Sequence, residues 1–362
     1  MQPITAKQRL DRLIQKSRAD LYKPIAIAEI LFRARTMAES VVHLGHKDSY
    51  RRSSYEWTKQ IVRRLHGKNL SLNSRYWDQL FDDEVLPPPA LLELGRSNTQ
   101  FPGMVEVYIY SHLRQKFSSL EAVRRIVRDS LPEQFRLEDF LGRFQTEPSL
   151  RRSVDKAYEM VVYALFSSVV QALDATVTLA VNPQKMNMLT CLEDFTQLVL
   201  GVDTQHLAIS QPARLYRVGT ANANDAGLDM WANFGPAVQV KHLTLQPDQV
   251  GDICGTIRAD QVLIVCRDAD KPAIELLLLQ LGYQDKLRGV ITEQDLIRWY
   301  TICCSSEWAS LLGIEILRHL DEELSLEFPL ADWQKWELFY RERAYNSVTL
   351  SGDWAGEPSG TQ

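Results

Sequence analysis

The chain has 362 residues, 45% hydrophobic and 24% charged, with a formal net charge of −5. This is ordinary globular composition, which excludes a disordered or collagen-like polymer, and the length suits two domains of roughly 100–200 residues each. The acidic balance excludes nucleic-acid binding through a global basic excess and leaves that role to a local basic surface.

In chain order, residues 1–150 read as a mostly helical domain. Ile25 to Ala38 carries apolar residues at helical spacing behind Pro24, and further helices are predicted near 54–66, 73–82, 104–117 and 119–130. The run Pro87-Pro88-Pro89 reads as a rigid connector. Between Lys47 and Lys68, seven basic residues face only Asp48 and Glu56. Of these, Lys47, Arg51, Arg52, Arg63, Arg64 and Lys68 are the candidate phosphate contacts.

From residue 149 the pattern changes. Ser149 is placed to cap a long helix ending near Leu173. Strands are then predicted at Leu215–Ala221, Gly227–Ala232 and Ala237–Leu245, followed by a helix near 247–258. Val262 to Cys266 is a continuous apolar run, as expected of a strand buried on both faces. A helix opens at Pro272, a short strand follows at Gly289–Ile291, and Thr292-Glu293-Gln294-Asp295 has capping-box form. Helices near 307–324 and 330–343 follow, and the Gly/Ser/Pro-rich stretch from 346 reads as a disordered tail. The expected fold is therefore α/β, a mixed sheet with helices on its faces. Its parts are a helical domain over 1–150 that grips DNA, a catalytic core over 151–305, C-terminal helices over 306–345 and a tail over 346–362.

The five cysteines have no CxxC spacing, and their apolar surroundings predict reduced, buried thiols in a cytoplasmic protein. The charged N-terminal text does not resemble a signal peptide, and Met160–Leu173 is too short and too polar to span a bilayer.

The chemistry gathers between Asp225 and Leu243. In the strand beginning at Ala237, alternation puts Val238 and Val240 on one face, and Gln239 and Lys241 on the other. A polar pair on an apolar strand is costly to bury without a purpose. Asn233-Phe234-Gly235 makes a three-residue turn, which sets Asp229 opposite Gln239. A carboxylate, an amide and an amine then converge, as metal-assisted phosphodiester hydrolysis requires. Asp229, the Gln239 side-chain carbonyl and the Val240 backbone carbonyl are candidate ligands of Mg²⁺, a hard cation that takes oxygen donors. Lys241 is placed to orient the attacking water or to stabilise developing charge. A second carboxylate should come from Glu159 on the long helix, with Asp225 in reserve. His242 points to the opposite face and reads as structural. The stripe Trp333, Trp336, Phe339, Tyr340 reads as core packing or a dimer contact.

The Asp229…Gln239-Val-Lys241 text resembles the PD-(D/E)XK nuclease motif in its D…QxK form. More narrowly, the chain resembles the HaeII family of Type II restriction endonucleases. The strings that carry this include Val105-Glu-Val-Tyr-Ile-Tyr, Ser153-Val-Asp-Lys-Ala-Tyr-Glu-Met-Val-Val-Tyr, Arg217-Val-Gly, Gly227-Leu-Asp-Met-Trp and Gln239-Val-Lys-His-Leu. The resemblance implies a restriction-endonuclease-like core and Mg²⁺-dependent double-strand cleavage at a pseudo-palindromic, GC-rich site of the RGCGCY kind. It also implies a companion DNA methyltransferase, and a twofold-symmetric target calls for a homodimer. The departure is Gln239, where the wider superfamily usually carries an acid. That keeps open an inactive DNA-binding homologue, and a repair, junction or Mrr-like nuclease on the same core is the other alternative.

Overall fold

A computed structural model describes residues 4–17, 21–37, 42–67, 77–218, 228–241, 255, 257, 259–267, 271–280, 282, 285–328 and 331–356. Asp225, His242, Cys254, Lys68 and the helix expected near 247–258, apart from residues 255 and 257, lie outside them. The chain divides into two compact units that are not linear in sequence. One gathers described residues within Met1–Ile126, Gly142–Val154 and Leu324–Gln362; the other holds Val127–Leu141 and Asp155–Glu323.

The first unit is helical. Helices α1 (Ala6–Lys16), α2 (Tyr22–Thr36) and α3 (Arg51–His66) are followed by α4 (Pro88–Gln100) and α5 (Met104–Asp129). The proline run is not a connector. Pro87 is the N-cap and Pro88 opens α4, because first-turn N–H groups have no intrahelical acceptor and proline loses nothing there. The two helices expected at 104–117 and 119–130 are one, since no breaker stands between them. The next helix, α6 (Leu137–Thr146), starts in the second unit and ends in the first.

Buried charge ties this unit together. The Glu29 carboxylate accepts from both Arg343 terminal nitrogens at 2.6 and 2.8 Å and from the Tyr110 hydroxyl at 2.6 Å. Glu106 accepts from Arg35, Asn98 and the Tyr345 hydroxyl. The C-terminal stretch therefore belongs to this unit, and the expected tail holds structure over its described part. Trp354 is buried, edge-on to Tyr108 at 5.1 Å, so an aromatic anchor holds what composition alone read as disorder.

The second unit is built on α7 (Val154–Ala172), most of whose residues are buried. Ser149 does not cap it; its hydroxyl donates to Ser119, and a 3-10 turn over Arg151–Ser153 leads into the helix. A hairpin absent from the sequence reading follows, β1 (Thr176–Ala180) with β2 (Ala208–Pro212), and α8 (Met186–Cys191) lies between its strands. The main sheet has the order β3 (Leu215–Arg217), β4 (Met230–Ala232), β5 (Pro236–Lys241), β6 (Gln261–Cys266), β7 (Leu287–Thr292). Strands β3, β4 and β5 pair antiparallel, and β5, β6 and β7 parallel, which makes the mixed sheet expected.

Ala237, Val262, Ile264, Cys266 and Val290 form a core on one side of the sheet. On the other, Val238 faces α7 across an apolar cavity of about 420 Å³ lined also by Leu165, Phe166 and Trp299. After α9 (Lys271–Gln280), the capping box forms at Thr292 and Asp295 and starts α10 (Glu293–Cys303). Burial pushes the Cys303 thiol up and the Cys304 thiol to about 11, so both are inert. Cys191, in contrast with the buried thiols expected, is exposed. Helices α11 (Ile314–Glu327) and α12 (Trp333–Glu342) follow, and Trp336 and Phe339 of the aromatic stripe are core residues. No described helix is long and apolar enough to cross a membrane.

Candidate active site

The β4–β5 hairpin turns at Asn233–Gly235, where Gly235 takes φ +118°, a conformation that L side chains rarely adopt. Met230 pairs with Val238 and Trp231 with Ala237, the register expected from a turn centred on Phe234. One step further, the Asp229 N–H donates to the Val238 carbonyl at 3.2 Å, and the Asp229 carbonyl accepts from Val218 at 2.9 Å. The backbone of Asp229 is thus held from both sides.

Its side chain meets β5. Asp229 Oδ2 accepts from Gln239 Nε2 and from the Val240 N–H, each at 2.7 Å. Gln239 is 3% exposed. Burial pushes the Asp229 carboxyl up to about 6; the hydrogen bond from Val240 opposes this, the Glu159 charge adds to it, and Lys241 and Lys156 oppose it. Asp229 and Gln239 are thus in direct contact, and Glu159, Lys241 and Lys156 act on the Asp229 carboxyl through their charge.

Glu159 is itself buried, and α7 carries it. Lys156, one turn earlier, donates to both its oxygens at 2.8 and 2.7 Å. Arg217 of β3 donates to Glu159 Oε2 at 2.9 Å and, with its other terminal nitrogen, to Glu323. Sequence reasoning missed Lys156, Arg217 and Glu323. The three-residue spacing of Lys156 and Glu159 on a helix was a legible signal. Arg217 and Glu323 meet only through the fold.

Among the described residues no three His, Cys, Asp or Glu side chains gather as a metal cluster. The groups available around Asp229 are nevertheless all oxygen donors: two carboxylates, an amide carbonyl and backbone carbonyls. With Gln239 giving its Nε2 hydrogen to Asp229, its carbonyl oxygen is left to accept. This donor chemistry fits a hard divalent cation and not a soft one.

The basic segment divides. Lys47 lies 3.7 Å from Asp82, Arg51 is chelated by Asp78, and Arg64 lies 2.6 Å from Glu342. Arg52 and Arg63 are exposed, and neither has an acidic partner among the described residues. They are eleven residues apart on α3 and so share one face.

A model of the HaeII restriction endonuclease family matches residues 6–345. The Type II restriction enzyme HaeII of Haemophilus aegyptius is 40% identical over 343 residues, 95% of this chain and 97% of that protein. The Type II restriction enzyme NgoBI of Neisseria gonorrhoeae is 38% identical over 325 residues, 90% of this chain and 91% of its own. No solved structure matches significantly.

Proposed function

The chain belongs to the HaeII restriction endonuclease family, a family of site-specific DNA-cutting enzymes, and on that premise we propose that it makes Mg²⁺-dependent double-strand cuts at a short pseudo-palindromic, GC-rich site of the RGCGCY kind. The observation that supports this reading is the contact of Asp229 with Gln239 and Val240 across the β4–β5 hairpin, in a site where the Lys241 and Glu159 charges act on the Asp229 carboxyl.

Asp229, Glu159, the Gln239 carbonyl and the Val240 backbone carbonyl would hold the cation. When bound, it would polarise the scissile phosphate and lower the pKa of coordinated water. The protein supplies the rest. The Val240 N–H and the Gln239 amide fix the Asp229 carboxylate, leaving its Oδ1 to face a ligand. Arg217 and Lys156 hold Glu159 in place, so the second carboxylate is positioned before substrate arrives. Lys241 orients the attacking water and offsets the negative charge that grows on the phosphate oxygens. The water oxygen joins phosphorus, one P–O ester bond breaks, and the products are a phosphate monoester and a hydroxyl.

Arg52 and Arg63, with Lys47, Arg51, Arg64 and Lys68 in reserve, contact DNA phosphates. The enzyme works as a homodimer in the cytoplasm, beside a DNA methyltransferase that protects host sites. The deciding experiment incubates purified protein with unmethylated plasmid, with and without Mg²⁺, and sequences the ends. Discrete Mg²⁺-dependent fragments sharing one short sequence are expected. Tight DNA binding without cleavage in any divalent metal would overturn the catalytic reading in favour of an inactive homologue, and cleavage only of branched or methylated DNA would replace restriction with the repair or Mrr-like alternative.

A further inference from the structure

Between α7 and the main sheet, residues 173–212 leave the core. Strands β1 and β2 pair from Thr176 with Pro212 to Ala180 with Ala208, and they form a sheet of their own. Eight of their ten residues are exposed and none is buried. A two-stranded ribbon with neither face covered is marginal in water.

Its far end is helical. Leu189 and Thr196 turn inward from α8 and the turns after it. Met188, Leu192, Phe195 and Val199, at spacings of four, three and four residues, lie together on an outer flank. With Leu173, Leu179 and Leu198 they are between 42% and 86% exposed. Three- and four-residue spacing is the pattern by which helical segments pack against each other.

Two further observations identify what covers this surface. From residue 173 to 212 the chain has one basic residue, Lys185, and no arginine, against Asp174, Glu193, Asp194 and Asp203. An acidic surface repels DNA phosphates, so the arm is not a DNA clamp. A standard interface takes roughly 800 Å² from each partner, and the five helical side chains Met188, Leu192, Phe195, Leu198 and Val199, 49–86% exposed, together with the uncovered strands of the same arm offer surface of that order. The reading of the chain as a double-strand cutter, on which this rests, assigns one hydrolytic centre to each copy and two strands to the target. A second copy is the partner that reading already requires, and the same patch on each copy closes a twofold pair.

We infer that the arm of residues 173–212 is the surface through which two copies of this chain pair. The full-length protein and the variant Leu192→Asp/Val199→Asp are compared by sedimentation velocity at micromolar concentration, with circular dichroism to check folding. Leu198→Glu, at the most exposed position, serves as a second variant that cannot disturb the interior. The unaltered protein should sediment as a dimer and the double variant as a folded monomer; Leu198→Glu should weaken pairing at least tenfold. On supercoiled plasmid with Mg²⁺, the monomeric variant should accumulate nicked circles where the unaltered protein gives linear DNA. A folded double variant that stays dimeric overturns the arm while leaving the cutting reading intact. So does an unaltered protein that is monomeric yet linearises plasmid. Loss of DNA affinity without change of mass would assign the arm to DNA and also overturns it. A dimer that dissociates on substitution but cuts nothing would support the arm and defeat the cutting reading instead.

Discussion

Gln239 donates its side-chain N–H to Asp229 Oδ2 at 2.7 Å across the β4–β5 hairpin. This contact gives a physical reason for an amide at a position where the wider superfamily usually carries an acid. A second carboxylate there would face Asp229 at hydrogen-bond distance inside a buried site, where two like charges repel and one of the pair is forced to take up a proton. Gln239→Glu should therefore destabilise the metal-free protein by about 1–3 kcal/mol, the scale of a lost buried hydrogen bond plus like-charge repulsion. Added Mg²⁺ should recover that loss, because both carboxylates would then be available to hold the cation. Thermal unfolding with and without Mg²⁺ is the measurement; equal melting shifts for both proteins would count against a cation at this position.

The Asp229 carboxyl, raised from 3.8 to about 6 mainly by burial, binds protons more readily folded than unfolded. Its contribution to stability is full below pH 4 and is lost as pH rises from about 4 through 6, a total loss of about 2–3 kcal/mol at 1.36 kcal/mol per unit. Asp229→Asn keeps an oxygen for the Val240 and Gln239 donors while removing the charge. It should stabilise the metal-free protein by about 2 kcal/mol at pH 7.5, gain nothing at pH 4, and abolish cleavage. Urea titrations at the two pH values test the sign, and a plasmid assay tests the activity.

Arg217 holds two buried carboxylates, Glu159 and Glu323, and is itself 12% exposed. Arg217→Met leaves both acids short of a counter-charge, at a cost of about 3–5 kcal/mol. Arg217→Lys should restore charge but not the two-ended geometry, and so recover part of the stability and less of the cleavage rate. A loss below 1 kcal/mol in chemical denaturation of Arg217→Met would show that the network carries no structural weight.

Arg51 is chelated by Asp78, whereas Arg52 and Arg63 are exposed without acidic partners among the described residues. The plot of log binding constant against log salt should therefore lose about 0.9 in slope for each of Arg52→Ala and Arg63→Ala that removes a phosphate contact. Arg51→Ala should leave the slope unchanged. An unchanged slope for all three would remove α3 from the DNA-binding surface.

The sequence by itself determined the centre of the site and the sheet around it. Alternation in Ala237-Val-Gln-Val-Lys and the turn at Asn233–Gly235 dictate the register that sets Asp229 beside Gln239, and Val262 to Cys266 reads as the central strand it is. The capping box at Thr292 was equally legible. These features depend on neighbours within about ten residues, where backbone geometry alone fixes which side chains meet. Tertiary structure decided what holds Glu159, since Arg217 lies 58 residues from it and 106 from Glu323. It also decided that Arg51 is spent on Asp78, that the C-terminal stretch closes on Glu29 and Glu106, and that residues 173–212 stand out as an arm. Ion pairing and burial between distant segments follow from packing, and no periodicity along the chain encodes them.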